Sequence, residues 1–189
     1  MSTPLLCLQA QSKHDWVRVA EVLAGDVNKL ASIGADFAVL PVNSIQYAYD
    51  EIATRSTIPV VNLVELVVQQ CTTNGYEKVA VLGVGMTMSD GLYEQPLKNA
   101  GIEPIVPSQQ DQAELNRIIY DELVPGIINE SSVRYVLSVL EGLKQQGCDA
   151  VILACTELPM IVNDTNAPIA YVDTTRLLAL HALEKATTT

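Results

Sequence analysis

Histidine is nearly absent from this chain: His14 and His181 are the two imidazoles in 189 residues. A two-histidine metal site or a Ser-His-Asp triad is therefore poorly supplied. Positive charge is scarce as well, with 11 Lys and Arg against 22 Asp and Glu, a net −11. No basic stripe is visible, which argues against a nucleic-acid partner and against an anionic membrane surface. The longest apolar runs are strand-sized, far short of the ~20 residues that cross a bilayer. The opening MSTPLLCLQA lacks the basic start and long apolar stretch of a secretory leader. The expectation is a cytoplasmic protein with no membrane or nucleic-acid partner. Four cysteines (Cys7, Cys71, Cys148, Cys155) show no metal-ligand spacing. In a reducing compartment disulfides are not expected. Aromatics make up only 5%, so the 49% hydrophobic content is carried by Val, Leu, Ile and Ala. That composition suits parallel strands buried on both faces.

The pattern along the chain alternates strand and helix. Short β-branched runs predict strands at 4–10 (PLLCLQA), 36–41 (DFAVLP), 59–63 (PVVNL), 78–83 (KVAVLG), 150–154 (AVILA) and 168–172 (PIAYV). Residues 15–33 place Val17, Val19, Ala20, Val22, Leu23, Val27 and Leu30 near one helical face, with Gly34 as the stop. Residues 131–146 do the same with Val133, Val136, Leu137, Leu140 and Leu143, stopping at Gly147. Ser89-Asp90 and Asp173-Thr174 offer N-cap chemistry to the helical segments that follow them.

One internal repeat organises the rest. LASIGADFAVLPVNS (30–44) and LKQQGCDAVILACTE (143–157) align without a gap. Leu, Gly and Asp recur in register, followed by an apolar strand and a polar turn. Each copy is followed by a second strand opening on proline, IPVVN (58–62) and APIAY (167–171). The predicted fold is α/β: two similar lobes of mostly parallel sheet flanked by helices, related by a pseudo-twofold, with the active site in the crevice between them. The lobes would be 1–75 with 173–189, and 76–172. The repeat sets Val42 opposite Cys155.

Cys155 ends a buried strand in VILACTELP (151–159) and precedes an expected helix. Backbone N–H groups and the helix dipole would there lower the thiol pKa from about 8.5 toward neutrality. Thr156 adds a hydroxyl and Glu157 a carboxylate. Cys7, Cys71 and Cys148 read instead as small core residues.

Ala154-Cys155-Thr156-Glu157-Leu158-Pro159 closely resembles the GCTE[L/I]P motif of the aspartate/glutamate racemase superfamily. GADFAVLPVNS resembles its first motif, GAD-strand-PCNT. TMSDGLYEQPL (87–97) resembles the segment with a substrate-binding Thr, and Tyr171-Val172-Asp173-Thr174-Thr175 its last strand motif. The resemblance runs over nearly the whole chain, and the second motif is the specific one. It implies a cofactor-independent amino-acid racemase, expected to be a homodimer, acting on a small amino-acid or carboxylate substrate. In that family two cysteines face each other and serve opposite faces of the α-carbon, because racemisation needs an acid/base on each side of a planar carbanion. The motif match makes Cys155 catalytic. It makes Asn43, Ser44, Thr87 and Thr156 donors to the substrate carboxylate, which also stabilise the developing enediolate. For each of these four, turn capping is the alternative reading. Val42 and Glu157 are candidate pocket residues.

Two departures stand out. Val42 occupies the position of the family's first cysteine and has no proton to give, which predicts weak or one-sided chemistry. A single-cysteine decarboxylase of the arylmalonate type, which also protonates one face, is the alternative, and a non-catalytic paralogue is another. The chain also begins about one βα unit later than the family pattern, so the first lobe reads as N-terminally incomplete. Among other signals, Gly83-Val84-Gly85 lacks the third glycine of a dinucleotide loop and reads as a tight turn. Asp15 reads as a helix cap or a crevice residue, and Trp16 as packing.

Overall fold

A computed structural model describes residues 13–188. The predicted strand at 4–10, with Cys7, lies outside the described residues. The chain divides into two compact units between Leu63 and Val64.

In the first unit, α1 (Trp16–Ser32) forms where the apolar period placed it. Asp15 caps it by accepting from Arg18 N–H at 3.1 Å. Trp16 stacks on Tyr47 at 5.1 Å between ring centroids, so it is a packing residue. Val19, Ala20 and Val27 are buried, but Val17 and Leu30 stay exposed, so the buried stripe is narrower than the period suggested. A 3₁₀ turn (Ser44–Ala48) runs into α2 (Tyr49–Arg55), which buries Ile52 in the same core. The segments expected as strands at 36–41 and 59–63 meet in a single parallel bridge, Ala38 to Val60. Ala38 N–H donates to Pro59 O at 2.9 Å and Val61 N–H to Ala38 O at 3.0 Å. Pro59 has no N–H of its own, which limits the ladder there.

The second unit is a four-stranded parallel sheet in the order β2-β1-β3-β4. The strands are β1 (Lys78–Gly83), β2 (Glu103–Ile105), β3 (Ala150–Ala154) and β4 (Ala170–Asp173). β2 was not anticipated: Glu-Pro-Ile is three residues long, and its proline is tolerated because the strand lies at the sheet edge. Around the sheet lie α3 (Leu63–Thr73), α4 (Gly85–Ser89), α5 (Glu94–Asn99), α6 (Gln109–Ile118), α7 (Glu130–Gln145) and α8 (Thr174–Thr187). α6 continues into a π-turn, Ile119–Leu123. Asp173 caps α8 as expected, accepting from Arg176 N–H at 2.9 Å. Ser89-Asp90 does not cap α5. Ser89 closes α4, and Tyr93 stands at the α5 cap position without a side-chain cap bond.

β1 and β3 are buried along almost their whole length. Ala80, Leu82, Val151 and Leu153 form one face of the pair and pack with Leu115 and Ile118 of α6 and Val136, Leu140 and Leu143 of α7. Cys148 lies in this core, and Cys71 is fully buried with its thiol pushed up to about 11 by desolvation. Both are packing residues. At the π-turn, Glu122 is buried and accepts from Arg117 Nη1 at 2.8 Å, which ties the turn back to α6.

The repeat read from sequence recurs as two identical helix stops. Gly34 N–H donates to Ala31 O (3.0 Å) and Ala35 N–H to Leu30 O (3.1 Å). In the second copy Gly147 N–H donates to Lys144 O (2.9 Å) and Cys148 N–H to Leu143 O (3.1 Å). Both glycines have positive φ, +95° and +84°, as this type of C-cap requires. Gly147→Ala is expected to cost roughly 1–2 kcal/mol, the penalty for a Cβ in left-handed backbone. Leu140→Ala, which opens a cavity in the core under β1 and β3, is expected to cost about 2–5 kcal/mol. Urea unfolding with an unchanged m-value would check both.

Candidate active site

β1 and β3 pair in parallel with Gly83 opposite Ala154. From β1 the chain moves to β2 on one side of the sheet; from β3 it moves to β4 on the other. Their C-terminal ends therefore form a topological switch point, where ligands bind in open α/β sheets. Gly83 keeps this point closed. A Cβ there would lie 2.8 Å from the Ala154 carbonyl oxygen and 3.3 Å from Thr87 Cβ. Because residue 83 has no side chain, Thr87 settles over the junction one residue before Cys155.

Cys155 is buried, and its Sγ donates to Glu157 Oε2 at 2.9 Å. Desolvation first, and this hydrogen-bonded carboxylate second, push the thiol up to about 12, although the backbone of Glu157 and Thr156 pulls the other way. The expectation of a thiol lowered toward neutrality is thus reversed. The segment after Cys155 is a single 3₁₀ turn, Leu158–Met160 with Pro159 in it, rather than a helix. A turn of that length aligns too few peptide dipoles to stabilise a thiolate. The nearest strong group is an acceptor, which favours the protonated thiol.

Thr156 is exposed beside this pair and Glu157 half-buried. Thr87 is 2% exposed, and its Oγ1 has no hydrogen-bond partner among the described residues. A buried hydroxyl without a partner is costly in a core and ordinary in a ligand-binding site. Tyr120, which the sequence reading passed over, sits on the π-turn. Burial first, then nearby Cys155 and Glu157, hold its phenol above the usual tyrosine range. A tyrosine beside a Pro/Gly-rich loop carries no periodic signal, so only the fold reveals it.

The remaining predicted residues belong to the first unit. Val42 is 41% exposed, whereas Asn43 and Ser44 are buried at the start of the 3₁₀ turn. Gln46, also missed, straps this loop: its Nε2 donates to Leu40 O at 3.1 Å and to Val42 O at 3.3 Å. The second unit brings Thr87, Cys155, Thr156 and Glu157 together at the ends of β1 and β3. Among the described residues no group of three His, Cys, Asp or Glu side chains is placed to hold a metal ion, and no helix is long and apolar enough to cross a membrane.

A parallel α/β sheet with a thiol–carboxylate pair at its switch point defines a class of small-molecule site. The chain belongs to the Asp/Glu/hydantoin racemase family, whose model matches residues 4–182. It is 27% identical over 169 residues to the broad specificity amino-acid racemase RacX of Bacillus subtilis (strain 168), covering 88% of this chain and 70% of that one. A solved structure from Yersinia pestis, described as a candidate Asp/Glu racemase, is 33% identical with a TM-score of 0.88, covering 96% of this chain and 79% of that one. An aspartate racemase homologue from Pyrococcus horikoshii OT3 is 25% identical with a TM-score of 0.82, covering 91% and 76%.

The raised thiol has a measurable consequence. Alkylation of Cys155 by iodoacetamide should keep accelerating up to about pH 10 instead of levelling near the free-cysteine value of about 8.5. Glu157→Gln removes the carboxylate that favours the protonated thiol, so the thiol pKa falls and alkylation at pH 8.5 should quicken several-fold. Mass spectrometry of the modified peptide reads both.

Proposed function

We propose that this chain is a cofactor-independent amino-acid racemase in which Cys155 moves the substrate α-proton. The observation that carries the reading is the Cys155–Glu157 hydrogen bond at the switch point. A thiol held near 12 is protonated at neutral pH, so the base must be generated in place. In the proposed step the Cys155 S–H proton passes to the Glu157 carboxylate and the thiolate takes the α-proton. The electron pair of the broken C–H bond delocalises onto the substrate carboxylate as an enediolate. Reversal returns a proton to the carbanion and restores the thiol. By motif match Asn43, Ser44, Thr87 and Thr156 are the donors that hold this carboxylate, and they strengthen as charge develops on it. A bound carboxylate also answers the orphaned hydroxyl of Thr87. From the family resemblance the setting is a homodimer in the cytoplasm.

Val42 supplies no proton, so exchange on the Cys155 face outruns inversion in this reading. The same one-thiol arrangement supports a second reading, decarboxylation of an α-aryl malonate with protonation on one face. Proton NMR in deuterium oxide tests the first: loss of the α-proton signal from at least one amino acid, abolished by Cys155→Ser, is expected. No exchange with any amino acid in a folded sample would overturn it, and carbon dioxide release from an α-aryl malonate, also lost in Cys155→Ser, would replace it with the second. Val42→Cys, at an exposed position that accepts the smaller side chain, is expected to raise the ratio of inversion to exchange at least tenfold, the lower end of what a positioned acid/base contributes. Circular dichroism of the amino acid reads the inversion.

A further inference from the structure

Beside the switch point, over the ends of β1 and β2, lies a cavity of about 710 Å³. Thr87 forms part of its wall and also stands over the Gly83–Ala154 junction, one residue before Cys155, so Thr87 is the link between the cavity and the strand end. Its other uncharged polar lining residues are Ser89, Tyr93, Gln109, Gln112 and Asn116. Two of the amides have fixed orientations. Asn116 Oδ1 accepts from Gly85 N–H at 2.8 Å. An N–H can be met only by the oxygen of the amide, so this contact commits the Nδ2 donors to the opposite side. Gln112 is held at both ends: Nε2 donates to Pro107 O at 2.8 Å, and Oε1 accepts from Ser89 Oγ at 3.3 Å. Glu94 is the one charged lining residue, and its carboxylate is paired with Lys98 Nζ at 2.6 Å. No lysine or arginine lines the cavity among the described residues.

We infer that this cavity receives the side chain of the substrate, and that it is built for an uncharged hydrogen-bonding group, a carboxamide or hydroxyl, rather than a second carboxylate. The inference rests on the racemase reading for the position of the α-carbon at Cys155. Its selectivity follows from the cavity alone. A side-chain carboxylate would lie near the Glu94 carboxylate, with Lys98 already engaged by Glu94 and no lysine or arginine in the lining to offset the repulsion. A carboxamide oxygen can instead accept from the Asn116 amide, and the carboxamide N–H can donate to the Thr87 oxygen while the Thr87 O–H serves the α-carboxylate. Sites that pair with a substrate's polar group discriminate by leaving their own buried groups unsatisfied when that group is missing.

Calorimetric titration of the intact protein with L-glutamine, L-glutamate and L-alanine tests this without requiring turnover. Glutamine is expected to bind about tenfold more tightly than alanine or glutamate, the worth of about one net hydrogen bond. Asn116→Asp keeps the acceptor for Gly85 N–H but removes the donors, and should weaken glutamine about tenfold while alanine is unchanged. Thr87→Val is close to isosteric. It should weaken glutamine and at the same time raise the melting temperature by about 2–4 °C, because an orphaned buried hydroxyl is replaced by a methyl. A purely structural role for Thr87 would not move the two readouts in opposite directions. Glutamate binding as tightly as glutamine, glutamine binding unchanged in both variants, or no binding of any of the three would overturn the inference. Deuterium exchange at alanine, whose methyl group neither fills the cavity nor hydrogen-bonds in it, reports separately on the racemase reading. Exchange at alanine without glutamine preference sinks the subsite alone.

Discussion

β1 and β3 lie in parallel register from Val79–Ala150 to Gly83–Ala154, and the site depends on that pairing. Each strand carries apolar side chains on both faces, so neither can slip or turn without exposing a row of Val, Leu and Ile to water. The register ends on Gly83, where the Ala154 carbonyl comes too close for any side chain. That close approach brings Thr87 of one βα turn against the residue before Cys155 of the next. The candidate site is thus assembled by backbone proximity, and the side chains follow from it.

The state of the thiol follows from the same burial. Desolvation and the Glu157 acceptor both disfavour the thiolate, and only two backbone groups oppose them. Cys155 rests as a hydrogen-bond donor to a carboxylate, with its proton already aimed at the group that would receive it. Such a pair stores no reactive anion. A ligand that excludes water and supplies donors of its own would alter the local electrostatics around this pair.

Much of this was legible in the residues. The helix windows at 15–33 and 131–146 appear as Trp16–Ser32 and Glu130–Gln145, because seventeen or so residues of 3.6-period apolar pattern leave few alternatives. The repeat was visible as Leu–Gly–Asp in register and returns as two matching C-caps, since the glycine and its left-handed φ are one requirement. β2 was hidden because three residues including a proline make no pattern. The helix expected after Cys155 failed because the Pro159 segment closes as one 3₁₀ turn.

By itself the sequence determined the alternating α/β plan, the repeated strand-end device and the presence of a lone cysteine at its second copy, because these depend on local periodicity, backbone conformation and residue type. Only the tertiary structure decided that the thiol faces a carboxylate, that the Thr87 hydroxyl is buried without a partner, and that Asn116 turns its donors away from Gly85. Those properties depend on which groups from distant segments share a desolvated space. The electrostatic cost of that space is set by its neighbours in three dimensions and has no counterpart in the order of residues along the chain.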